Sequence, residues 1–212
     1  MSNLRFSSLA FALLLAASPA PAQSCPGDCN RDLTVTVDEL VFGAGIALNK
    51  HDPVDCSALD RDANGVSIAD LVGAVDAALD GCPPVDPVFP ANYRSTFSEV
   101  RGCRLSIEHG GVSIRVLANP IAEEGYLFED NPLPVGSIVV KEEFDGPDCS
   151  HDNELVRWRV MRKEAPGYSP AGGDWHWQRL DKKRGVVEDG AVEICARCHL
   201  ACKDRDFTCT DP

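Results

Sequence analysis

The chain has 212 residues, 33 of them acidic and 20 basic, and a formal charge of −13. That balance argues against nucleic acid or an anionic membrane as partner, because both recruit clustered Lys and Arg. Ten cysteines are too many for an ordinary cytosolic enzyme and point to an oxidising compartment or to metal or haem ligation, and 44% hydrophobic residues exclude wholesale disorder.

The N-terminus reads as an export signal over 1–22. Arg5 gives a weak positive start, an apolar stretch runs to Ala17, and Ala20-Pro21-Ala22 has the small-x-small form of a cleavage site. The stretch is too short to span a bilayer comfortably, and no later segment approaches twenty apolar residues, so no membrane span is expected. Gln23-Ser24 before Cys25 lacks the Leu-x-small pattern of a lipoprotein. Cleavage would remove Arg5 and leave a periplasmic or extracellular chain of about 190 residues with a charge of −14.

Residues 25–82 carry ten Asp, Glu39 and three basic residues, with no Trp, no Tyr and one Phe. A two-fold repeat lies here: Asp28-Cys29-Asn30-Arg31-Asp32 returns as Asp60-Arg61-Asp62-Ala63-Asn64, and each copy runs into an expected helix, over 39–48 and 69–79. Leu71, Val72, Val75, Ala78 and Leu79 fall at helical spacing and mark one expected buried stripe. Calcium takes oxygens from alternate positions of such a loop and a bidentate acid at its end. The first loop offers Asp28, Asn30, Asp32, the Thr34 carbonyl and Glu39, with Leu33 where glycine is usual; the second offers Asp60, Asp62, Asn64, the Val66 carbonyl and an early Asp70. The plainer reading is a pair of Asx-rich helix starts. One or two calcium ions are the expectation. Cys25, Cys29, Cys56 and Cys82 bracket the module and allow two disulfides in any of three pairings. The module (27–81) resembles type I dockerins, which implies a cohesin-like protein partner.

Four prolines within 83–90 read as a semi-rigid linker, and a second domain is expected over 91–212. Helices are expected over 91–100 and 120–126, and strands over 104–108, 112–118, 137–144, 155–163 and 174–180. Cys103 with Cys149 would tie two distant strands, and Cys202 with Cys209 would close a short loop. Cys195-Ala196-Arg197-Cys198-His199 is the sharpest motif in the chain: C-x-x-C-H presents two thiols to the vinyl groups of one porphyrin and a histidine to its iron. One haem c is expected. His51, His109, His151 and His176 read as surface or turn residues.

The set Tyr93-Arg94, Ala118-Asn119-Pro120, Glu124-Gly125-Tyr126, 134–142, Val160-Met161-Arg162-Lys163, Gly173-Asp174-Trp175, the haem motif and Lys203-Asp204-Arg205-Asp206-Phe207 resembles the cytochrome P-460 and cytochrome c′-beta group over 93–207. The expected fold class is therefore α+β, a small all-α loop-helix pair followed by an antiparallel haem-bearing sheet with a few helices. The resemblance implies a homodimer and a five-coordinate haem c with His199 proximal. It also implies an open distal side that oxidises hydroxylamine in one branch and binds nitric oxide in the other. Lys141 is the candidate for the lysine that one branch links to its porphyrin, against the plainer reading of a solvated strand lysine. If 141–144 is a strand, Lys141 and Glu143 share one face, with Glu143 a candidate distal base and a solvent-exposed Glu143 the plainer reading. Phe144 is a candidate for the apolar distal wall. The alternative is a non-catalytic dockerin-like adaptor whose haem domain senses gas or carries electrons.

Overall fold

Thr36 and Ser67 start the two long helices of the N-terminal unit, as Ser/Thr-x-x-acid sequences do. Each hydroxyl accepts from the backbone three residues on, and Glu39 and Asp70 return the bond to the cap backbone. The computed structural model describes residues 25–60, 64–128 and 132–209. The expected export signal and Asp62 lie outside them. Helix α1 (Val37–Ala47) packs on α2 (Ile68–Asp80), and disulfides Cys25–Cys82 and Cys29–Cys56 select one of the three pairings.

The expected stripe on α2 is corrected by this packing. Ala74 and Ala77 take the buried face, while Val72, Val75 and Leu79 are 53%, 42% and 79% exposed. On α1, Val37 and Val41 point outward in the same way, as does Leu48 just after it. The reason is close approach. A Cβ on Gly43 of α1 would lie 2.7 Å from the Leu59 side chain between the helices, and one on Gly27 would lie 2.5 Å from Ala74 of α2, so small residues take the covered sides of both helices and the larger ones are left outside.

The second unit is a six-stranded antiparallel meander in chain order: β1 (Ser98–Ser106), β2 (Val112–Ala118), β3 (Ile138–Phe144), β4 (Leu155–Lys163), β5 (Trp175–Asp181) and β6 (Val186–Gly190). Strands β2 and β4 have the expected bounds. Strand β1 starts at Ser98, which shrinks the expected 91–100 helix to α3 (Tyr93–Thr96), and β6 was not anticipated. Helix α4 (Pro120–Phe128) follows β2, and α5 (Glu193–His199) follows β6. Disulfides Cys103–Cys149 and Cys202–Cys209 form as expected.

Alternation along the strands divides the side chains between two faces. One face buries Leu117, Val140, Trp158 and Leu180 under Phe89 and Tyr93. Here the Pro-rich segment is less of a linker than its composition suggests. Phe89 is 3% exposed, the Val88 N–H donates to Gln178 Oε1, and Gln178 Nε2 donates to the Asp86 carbonyl. The other face carries Val116, Val139, Met161, Trp175 and Trp177, packed with Ala122 and Tyr126 of α4 and with Phe207.

Candidate functional site

Helical spacing places Cys195, Cys198 and His199 along one side of α5, since residues three and four apart are neighbours. All three line a cavity of about 390 Å³ over the second sheet face, floored by Val116, Val139, Met161 and Trp177. Eight cysteines pair among themselves, and Cys195 and Cys198 remain as thiols. Burial pushes the Cys195 thiol up to about 11.

The His199 imidazole is set by two contacts. Its Nδ1–H donates to the Phe207 carbonyl at 2.7 Å, and the Trp177 ring meets it edge-on with centroids 4.7 Å apart. Burial holds its pKa down, to about 4. A neutral ring protonated on Nδ1 leaves the Nε2 lone pair for a metal. Trp177 adds a further observation: its buried Nε1–H has no hydrogen-bond partner among the described residues. Such an orphan costs about 1–3 kcal/mol unless an occupant of the cavity accepts from it. A thiol pair, a neutral imidazole, an apolar floor and an orphan donor fit a covalently attached, largely apolar, redox-active group of the haem c kind.

Lys141 of β3 lines the same cavity. Its Nζ lies 3.0 Å from His109 Nε2, and His109 Nδ1 lies 2.8 Å from the Ser106 hydroxyl. Burial pulls the Lys141 amine down to about 8, with Glu143 opposing and Arg159 and Arg104 assisting. Burial, then Lys141 and Arg159, push His109 down to about 3. His109 is therefore the neutral acceptor and Lys141 the donor.

A family model described as cytochrome P-460 matches residues 90–210. The chain belongs to the cytochrome P-460 family. No curated protein matches it. Membership implies a haem cytochrome, and the antiparallel six-stranded sheet with a few helices suits a P-460 haem domain. Four disulfides fit an extracytoplasmic setting. No helix among the described residues is long and apolar enough to cross a membrane.

The structure corrects two distal expectations for this P-460 domain. Glu143 does share a face with Lys141, but it is fully buried and clamped by Arg157 Nε at 2.7 Å and Arg159 Nε at 2.6 Å, and it does not line the cavity. With both oxygens turned to guanidinium groups, the carboxylate presents none to the cavity. Phe144 is buried on the opposite face, where the Arg115 guanidinium lies 5.5 Å from its ring centre, so it forms no distal wall. His109 is the residue that sequence reasoning missed. It sits in a short 3-10 turn (Ile107–His109) after β1, and only strand pairing brings it to Lys141. His176 is also no surface residue: it is 3% exposed, and its Nε2 pairs with Asp189 at 2.7 Å.

The two acidic loops are closed by backbone amides. Asp28 accepts from Asp32 and Leu33, and Glu39 accepts from Cys29, Asn30 and Thr36. Leu33 adopts φ 60, so the turn forms without the usual glycine, while Gly65 supplies the equivalent position of the second loop at φ 94. There Asp60 accepts from Asn64 and Gly65, and Asp70 accepts from Ser67. Among the described residues, acidic and histidine ligand atoms converge only at the exposed Asp148 and His151 with the half-buried Glu154. The carboxylates of Asp28, Asp32 and Glu39 form no such group, and those of Asp28 and Glu39 are held by the loop's own amides; the Thr34 carbonyl completes the expected first-loop set.

The pKa directions predict acid sensitivity of the haem-free protein. An unfolded imidazole titrates near pH 6.5, whereas folded His109 and His199 titrate at about 3 and 4. The unfolded chain takes up protons first, so stability present above pH 6.5 is lost as the pH falls towards 4. Urea denaturation between pH 7 and 4.5 should show a shallower loss for His109→Gln than for the wild type. Equal slopes would show that His109 is solvated and not held neutral beside Lys141.

Proposed function

We propose that the chain is an exported mono-haem c cytochrome that oxidises hydroxylamine, with Cys195 and Cys198 as thioether sites, His199 as the iron ligand and Lys141 as the porphyrin-linking side chain. One observation carries the reading: the Lys141 amine lies in the same cavity as Cys195, Cys198 and His199, held by His109 and depressed to about 8. A solvated strand lysine would have neither an imidazole partner nor that depression. Partial neutrality makes this amine the nucleophilic lysine of the cavity.

Haem c, when bound, supplies a redox-active iron with one position open to a small nitrogen ligand. The remaining roles fall to the chain itself. His199 offers Nε2 while the Phe207 carbonyl fixes the opposite nitrogen. Val116, Val139 and Met161 keep the floor apolar and exclude water. Neutral His109 accepts from the Lys141 amine through Nε2, with the Ser106 hydroxyl steadying Nδ1, and so holds that amine towards the cavity.

Optical spectra and turnover with an artificial electron acceptor test this reading. The wild type should show a red-shifted, broadened Soret band that reverts to the ordinary haem c position in Lys141→Ala. His109→Gln, which removes the partner that holds the amine, should lower the fraction of protein with the red-shifted band. An ordinary Soret band with nitric oxide binding and no turnover would place the protein among gas binders and remove Lys141 from the mechanism.

A second reading concerns the N-terminal unit, which we propose as a dockerin-like module for a cohesin-like partner, with calcium bracing its loops. The exposed apolar stripes favour it: Val37 and Val41 on α1 and Leu48 at its C-cap stand 31 residues ahead of Ile68, Val72 and Leu79 on α2, all uncovered. If calcium braces the loops, a chelator should lower the melting temperature of the purified chain, and restored calcium should recover it. An unchanged melting curve would leave the loops as amide-closed helix starts.

A further inference from the structure

Ligation alone leaves several family-signature residues without a role: Lys163, Gly173, Trp175 and Asp206. The fold brings all four to one place behind the haem-attachment helix. The Asp206 carboxylate is 7% exposed and accepts from Lys163 Nζ at 2.5 and 2.7 Å and from the Leu133 N–H at 2.9 Å. Lys163 Nζ also donates to the Gly173 carbonyl at 2.7 Å, and Trp175 Nε1 donates to the Asp206 carbonyl at 2.8 Å. Three separate stretches of the sheet domain therefore grip one residue of the C-terminal turn. The carbonyl next to it, that of Phe207, accepts the His199 Nδ1–H.

The turn needs that grip. Asp206 and Phe207 adopt φ 49 and φ 64, two successive left-handed residues that both carry a Cβ. Aspartate tolerates this region, but a bulky phenylalanine persists there only where the surroundings over-determine it. The Phe207 ring is seated by equally close contact: a Cβ on Gly173 would lie 2.5 Å from it, so glycine alone allows the approach. Lys163 reaches the site from the end of β4 and spans the Trp175 ring at 5.0 Å on its way. A buried ion pair is weak evidence for stability but well suited to fixing one geometry.

We propose that Lys163 and Asp206 are positioning residues for the iron ligand. Their ion pair holds the left-handed Asp206-Phe207 turn so that the Phe207 carbonyl accepts from His199 Nδ1. That bond fixes the tautomer and raises the basicity of Nε2, and a more basic ligand favours ferric over ferrous iron. The proposal rests on the reading of His199 as the iron ligand, and it is independent of hydroxylamine turnover and of the lysine link.

The test uses the full-length, haem-loaded protein. The variants are Lys163→Met, Asp206→Asn, Lys163→Arg and, as control, Glu142→Gln, which disturbs a buried ion pair on the opposite sheet face. Lys163→Met and Asp206→Asn should lower the iron–histidine stretching frequency of the ferrous protein and shift the redox equilibrium about tenfold towards ferrous, about 59 mV for one electron. Lys163→Arg should retain wild-type values. Glu142→Gln should lower the melting temperature and move neither readout. If Lys163→Met and Asp206→Asn lose stability but keep the wild-type frequency and potential, the pair is only structural and the proposal is overturned. A variant that does not load haem is read in the haem-free state by nitrogen NMR of His199: the Nδ1-protonated tautomer should give way to a mixture, and an unchanged tautomer overturns the proposal. A wild type that carries no haem would refute the ligand reading, while the tautomer would still decide the role of the ion pair.

Discussion

Neighbouring carboxylates on the central strand, Glu142 and Glu143, are both without solvent exposure and point to opposite faces of the sheet. Burying a charge is costly unless it is paired, and leaving one unpaired is strongly destabilising. Glu142 is met by Arg94, Arg115 and the Tyr93 hydroxyl, and Glu143 by Arg157 and Arg159. A one-residue slip of β3 would exchange the two faces and strand both carboxylates. This register constraint is what delivers Lys141 to the cavity side, two positions before Glu143, and it also seats Arg159 at the cavity wall.

From that register the site assembles with little further freedom. The floor comes from alternate residues of β2 to β5, and α5 closes over it with two thiols and an imidazole. The chemistry of the cavity follows from exclusion of water. Burial is the first cause of every large pKa shift there, and it drives His199 and His109 neutral, Cys195 protonated and Lys141 towards the free amine. A neutral histidine with its second nitrogen fixed by a carbonyl is what a metal requires of a ligand.

The sequence was most legible where chemistry is local. The C-x-x-C-H run sits on one helix, so spacing alone placed its three residues together. Strands β2 and β4 have the bounds that their alternation predicts. Features that depend on distant packing were not legible. His109 meets Lys141 across two strand pairings, 32 residues away, and nothing near it announces a cavity. Strand β6, Val-Val-Glu-Asp-Gly, is short and acidic and exists because β5 offers it an edge. Period two puts Phe144 and Glu143 on opposite faces, but which face holds the cavity depends on where α5 folds back. In the N-terminal unit, the apolar residues of α2 had the right period and the wrong destination. Periodicity locates a stripe, whereas the close glycine and alanine contacts decide which stripe is covered.

The central claim is that Cys195, Cys198 and His199 form the attachment site of a single haem. The most direct measurement is mass spectrometry of the full-length chain exported from a host that attaches haem, followed by analysis of the peptide carrying these residues. The account predicts one haem per chain, bound through thioethers on that peptide, with the other eight cysteines in the four disulfides. A peptide without haem, its two thiols open to alkylation or joined to each other, would contradict it.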